Sequence, residues 1–100
     1  MTTQNDILSY LSAHKDEFAQ HFGIIKIVLF GSFSRGTTQA NSDIDILIEV
    51  KNGEKDIYRK KQQFKQQLEN YFHRKIDIAR EKYLSPLARQ TIMDDVIYVK

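Results

Sequence analysis

At 100 residues the chain falls at the low end of the single-domain range and is read as one domain, residues 1–100, with cysteine absent and so no disulfide framework, thiolate metal site or thiol nucleophile. Its 15 lysines and arginines nearly balance 13 acidic residues, and a formal net charge of +2 does not mark a strong nucleic-acid binder. No apolar run approaches the ~20 residues of a membrane span, and the start MTTQNDILSY lacks the basic and apolar regions of a secretory signal, so the expectation is a cytoplasmic protein without a membrane partner.

From Asp6 to Phe22, Ile7, Leu8, Leu11, Phe18 and Phe22 recur at roughly helical spacing, with Thr3 and Asp6 placed as a capping box. This predicts one helix, ended by Gly23. Ile24 to Phe30 is short, β-branched and almost wholly apolar, the pattern of a strand covered on both faces. Residues 31–42, GSFSRGTTQANS, predict a loop with one short helical turn after Ser32. Asp43 to Val50 returns to strand character, with Ile44, Ile46 and Ile48 on one face and Asp43, Asp45, Leu47 and Glu49 on the other. Asn52-Gly53 makes a turn.

Ile57, Phe64, Leu68 and Phe72, with Lys61 in step, trace the apolar stripe of a helix from about Asp56 to Phe72. Lys55, Arg59, Lys60, Lys61 and Lys65 gather along it and are read as a solvated face. Lys75 to Ala79 is a third strand, in which Ile76 and Ile78 face one way and Asp77 the other. Ser85-Pro86 announces a helix running to about Met93, and Val96 to Val99 adds a last edge strand. The pattern is an α/β (α+β) domain, a small mixed sheet backed by helices.

Asp43 and Asp45 project from one strand face with only Ile44 between them pointing away. Paired carboxylates repel unless a cation neutralises them, and hard oxygen ligands suit Mg²⁺ or Mn²⁺ better than zinc. Asp77 supplies a third carboxylate from another strand, and if the two strands are neighbours all three converge, enough to hold two metal ions. Upstream, Gly31-Ser32 directly follows a buried strand, where glycine admits close backbone approach and a helix start attracts phosphate. A phosphate cradle beside a metal clamp is what nucleotidyl transfer requires. His14, His21 and His73 are scattered without metal-ligand spacing and receive no role. Glu49 shares the acidic face but lies four residues, ~13 Å, beyond Asp45 and is expected to be solvated.

The string GSFSRGTTQANSDIDILI resembles the signature of the DNA polymerase β-like nucleotidyltransferase superfamily, a Gly-Ser turn followed by an Asp-x-Asp strand. Arg35-Gly36 and the short chain resemble its minimal nucleotidyltransferase (MNT) group, whose members are often antitoxins paired with HEPN-domain proteins. The resemblance covers nearly the whole chain. It implies the polymerase β-like fold, with Gly31 and Ser32 on the triphosphate, Asp43 and Asp45 on the metals, and Asp77 as the third acid, near the attacking hydroxyl. Arg35 is either a phosphate contact or a structural ion-pair residue, and Ser34 stands where many members have a small residue such as alanine. The implied reaction is Mg²⁺-dependent transfer of AMP from ATP to a hydroxyl, with tyrosine on a HEPN toxin as the acceptor. Two alternatives stand beside it: a non-catalytic module that blocks its partner, and a nucleotidyltransferase acting on a small hydroxyl compound.

Overall fold

The computed structural model describes residues 3–35, 43–87, 90 and 96–99, with Ser32, Arg35 and Glu81 described by backbone alone. The first helix, α1 (Gln4–Ala13), opens on the expected capping box: the Thr3 hydroxyl accepts from the Asp6 amide at 3.1 Å, and the Asp6 carboxylate accepts from the Thr3 amide at 2.9 Å. The expected single helix is in fact two, because His14 (φ −107, ψ 10) breaks the spiral before α2 (Lys15–Phe22). A continuous apolar stripe through Leu11 and Phe18 would bury positions 14 and 15. The break turns both toward polar partners instead, His14 to Glu17 at 2.9 Å and the Lys15 ammonium to the Val99 carbonyl at 3.3 Å. Gly23 ends α2 in the left-handed conformation, and a Cβ there would run into the carboxylate of Glu54.

The sheet contains β1 (Ile24–Phe30), β2 (Ile44–Val50), β3 (Ile76–Arg80) and β4 (Ile97–Tyr98) in the order β3-β2-β1-β4. β1 runs antiparallel to β2 and β4, whereas β2 runs parallel to β3, so the sheet is mixed as expected. The parallel pair needs a crossover. Helix α4 (Ile57–Phe72) supplies it, entered past the Asn52-Gly53 turn and left at His73. Residues 86–87 are helical after Ser85, and the rest of the helix expected to run to Met93 lies outside the described residues, Gln90 apart.

Alternation sorts the strand residues into two faces. Ile27, Leu29, Ile44, Ile46, Ile48 and Ile76 join Ile7, Leu11, Phe18, Phe64 and Leu68 of the helices in one buried cluster, in which the Phe18 and Phe64 rings meet edge-on at 4.9 Å. Val28 and Leu47, register partners on the opposite face, are also buried but lie outside that cluster. Covering on both faces therefore holds for Ile27 to Leu29. It fails at Ile25, which stands at an irregularity in the β1–β2 register and is 57% exposed. No helix among the described residues is long and apolar enough to cross a membrane.

Candidate nucleotide and metal site

The parallel pairing of β2 with β3 makes Asp45 and Asp77 register partners, one step along from the Ile44–Ile76 pair that points into the core. Neighbouring strands lie ~4.8 Å apart, so the two carboxylates leave the sheet side by side, on the face away from the helical layer. Asp43 precedes β2 by one residue and shares that parity. Asp77 is exposed, and Asp43 and Asp45 are half-buried. The neighbouring strands on which convergence was expected to depend are present.

The carboxylates are not drawn into a cage. Among the described residues, no three acidic or histidine side chains are grouped closely enough to hold a metal ion. Like charges spread apart, and the Lys75 ammonium, 3.9 Å from Asp43 Oδ2, draws that group aside. By chemistry and placement the donor set fits a hard divalent cation, since all three are carboxylates and each retains some exposure.

Gly31 follows β1 directly, where Phe30 is the register partner of Asp45. Its φ of +77 lies in the left-handed region, and a Cβ at this position would overlap Asp45 Oδ2. Glycine here therefore does two things, turning the chain and clearing room for a metal-ligand candidate. The expected helical turn follows as α3 (Ser32–Arg35), anchored by Phe33, which is 1% exposed. The Ser34 hydroxyl donates to the Gly31 carbonyl at 2.8 Å, giving this departure from the family pattern a local role. The side chains of Ser32 and Arg35, both candidates for the triphosphate, and residues 36–42 lie outside the described residues.

Three residues near the site carry no signal in the sequence. The Gln4 amide donates to the carbonyls of Phe33 at 2.9 Å and Ser34 at 3.2 Å. The Arg74 guanidinium carbon stands 5.3 Å from the centre of the Phe33 ring. Lys75, just before β3, pairs with Asp43. All three contacts depend on tertiary placement, and no short-range spacing announces them.

Two surface readings change. Glu49 is tied down rather than solvated: it accepts from the Lys82 amide at 3.0 Å and from Arg80 Nη2 at 3.4 Å, because β3 lies beside β2 and sets Arg80 against Ile48. On α4, Lys60 bonds the half-buried carboxylate of Glu54, holding that group below the usual carboxylate range, and Arg59 pairs with Asp56 at 3.1 Å. The basic face is thus partly spent on local acids. A hollow of about 580 Å³ opens between α4 and the end of β3, lined by Ile57, Tyr58, Lys61, Ile78, Arg80 and Tyr83 among others. None of the candidate site residues whose side chains are described lines it.

A Gly-Ser turn leading into a short helix, packed against an Asp-x-Asp strand with a third aspartate on the adjacent parallel strand, is the frame of a nucleotidyltransferase. The family profile for the nucleotidyltransferase domain matches residues 11–99. Protein adenylyltransferase MntA of Thermococcus cleftensis is 32% identical over 99 residues, spanning 99% of this chain and 98% of that protein. A solved structure described as a minimal nucleotidyltransferase superposes with a TM-score of 0.79 at 25% identity, over 96% of this chain and 95% of its own. A chain from the complex of a tri-AMPylated Shewanella oneidensis HEPN toxin with its MNT antitoxin superposes with a TM-score of 0.62, over 93% of this chain and 71% of its own. At 17% identity that last likeness is one of fold. The chain belongs to the nucleotidyltransferase domain family and is an enzyme of the nucleotidyltransferase class.

Proposed function

We propose that this enzyme transfers AMP from ATP to a hydroxyl, that of a tyrosine, on a HEPN-type toxin, and so acts as a cytoplasmic antitoxin. The observation that carries the reading is the side-by-side placement of Asp45 and Asp77, with Gly31 set beneath Asp45 at the head of α3. Support for a protein acceptor comes from the likeness to a protein adenylyltransferase, and support for a HEPN partner from the fold shared with a chain of a toxin–antitoxin complex.

In this reading Gly31, Ser32 and Arg35 hold the triphosphate, with backbone amides at the start of α3 supplying donors. Asp43, Asp45 and Asp77 would hold two Mg²⁺ ions. When bound, the metal supplies positive charge to the triphosphate and lowers the pKa of the acceptor hydroxyl. The acceptor oxygen forms its bond to the α-phosphorus as the bond to the α–β bridging oxygen breaks, and pyrophosphate leaves with that electron pair. Asp77 takes the hydroxyl proton. Its place fits this task, because β3 is an edge strand among the described residues and Asp77 is exposed, open to a side chain from a separate protein. A docked partner turns a bimolecular encounter into a positioned one.

The test incubates a HEPN-domain protein from the same genome with this enzyme, ATP and Mg²⁺, and maps the adduct by mass spectrometry. The expected result is a mass gain of one or more AMP groups on tyrosine with wild type, and none with Asp77→Asn. A partner silenced mole for mole without modification would overturn the transfer reading in favour of blockade.

A further inference from the structure

We infer that Gln4 is a positioning residue for the nucleotide: it fixes the orientation of α3 from the far side of the turn, and so sets the affinity for the phosphate chain. The inference rests on the reading of α3 as the triphosphate-holding turn.

α3 lacks support of its own. Four residues form too short a helix to be stable on their own. The last four carbonyls of any helix have no partner within it, so nearly every carbonyl of α3 needs an outside donor. Phe33 anchors the turn through its buried ring, but that apolar contact gives the carbonyls no donor. A polar contact must supply one.

Gln4 supplies that contact. Its amide nitrogen carries two hydrogens, and the structure directs it to two consecutive carbonyls, those of Phe33 at 2.9 Å and Ser34 at 3.2 Å. The partners lie 29 and 30 residues away in the chain, so the bonds serve α3 rather than the helix on which Gln4 sits. That helix is itself held at its start by the Thr3–Asp6 capping box, which fixes the first residue, Gln4, in place. The Arg74 guanidinium carbon stands 5.3 Å from the centre of the Phe33 ring, and the Ser34 hydroxyl ties the turn back to Gly31. The amide of Gln4 thus closes a chain of contacts running from the cap of α1 to the glycine beside Asp45.

Phosphate donors at a helix start are useful only when their direction is fixed before the ligand arrives. Loss of the Gln4 amide leaves Phe33 buried and the fold intact, but lets the donors spread over several directions. Binding of the phosphate chain weakens, whatever base is attached to it.

The experiment uses the full chain and Gln4→Met, which keeps side-chain length and helix propensity while removing the donor. Titration calorimetry, run well below both melting temperatures, measures Mg²⁺ with a non-hydrolysable ATP analogue and, separately, Mg²⁺ with inorganic triphosphate. The expected result is a Kd raised about fivefold to tenfold for both ligands, a part of what two bonds of ordinary strength contribute, because the bonds hold the turn in the free protein as well. Should the methionine variant melt too low, Gln4→Asn, one methylene too short to span both carbonyls, is expected to act in the same direction. An unchanged Kd for both ligands with only a lowered melting temperature would make Gln4 a structural residue and overturn the inference. Weakening confined to the ATP analogue would overturn it too, because the effect would then lie with the base. Wild type failing to bind either ligand would instead refute the triphosphate reading of α3.

Discussion

Replacing Gly31 by alanine brings two separable costs, and the structure supplies a control for each. The first is backbone strain, since φ is +77 and an L-residue in the left-handed region costs ~1–2 kcal/mol. The second is steric, since the new Cβ occupies the place of Asp45 Oδ2 and the carboxylate must rotate away, at a cost typical of overpacking, ~1–3 kcal/mol. Together they come to ~2–5 kcal/mol, and at ~4–8 °C per kcal/mol for a domain of this size the melting temperature should fall by roughly 10–40 °C. Gly53→Ala isolates the strain: φ there is +82, but a Cβ meets nothing within 4 Å. That variant should lose only ~5–15 °C and keep full activity. Gly31→Ala should in addition lose at least ~100-fold in transfer rate at temperatures where it is folded, because a ligand carboxylate has been moved. Thermal melts and AMP transfer are the assays. A third measurement places Gly31→Ala in an Asp45→Ala background, where its cost should fall toward that of Gly53→Ala, because the carboxylate is gone and only the 3.1 Å approach to the Cβ of residue 45 is left. If Gly31→Ala melts like Gly53→Ala and remains active, glycine does not serve to clear Asp45 and the coupling of turn to carboxylate is refuted.

Asp43→Asn and Asp45→Asn should each abolish transfer, and leave the melting temperature unchanged or slightly raised, because removing one of two like charges relieves repulsion; activity lost only through unfolding would show the carboxylates to be structural. Glu54 gives a pH signature: Lys60, foremost by its hydrogen bond, lowers its folded pKa, so the pair stabilises fully above the usual carboxylate range, about pH 4.5, and the contribution is lost as pH falls through the lowered value. Melting curves from pH 7 to pH 3 should show a shallower acid limb for Glu54→Gln than for wild type, and superimposable limbs would remove the pair from the account.

Much of the architecture was legible because it is written in short-range periodicity. β1 runs from Ile24 to Phe30 as its almost wholly apolar run indicates, α4 ends at Phe72 on the last member of its stripe, and the Thr3–Asp6 box marks the start of α1. Each of these reflects the fixed rise and rotation of one element, which neighbouring residues report directly. The same alternation places Asp43 and Asp45 on one face before any partner strand is known. It says less where packing overrides it, as at His14, where keeping two polar side chains out of the core breaks the helix, and at Ile25, which a register irregularity turns outward.

What the sequence alone determined, then, is which groups are present and which way each faces along its own strand or helix. Only the tertiary structure decided which groups meet. Asp77 is 32 residues beyond Asp45 and reaches it because β2 and β3 pair in parallel, in one register out of several that an apolar alternation permits. Gly31 clears Asp45 because β1 lies antiparallel on the other side of β2, and Gln4 meets α3 because α1 packs across the turn. Such contacts depend on loop closure and on the burial of whole faces, and no local spacing encodes them.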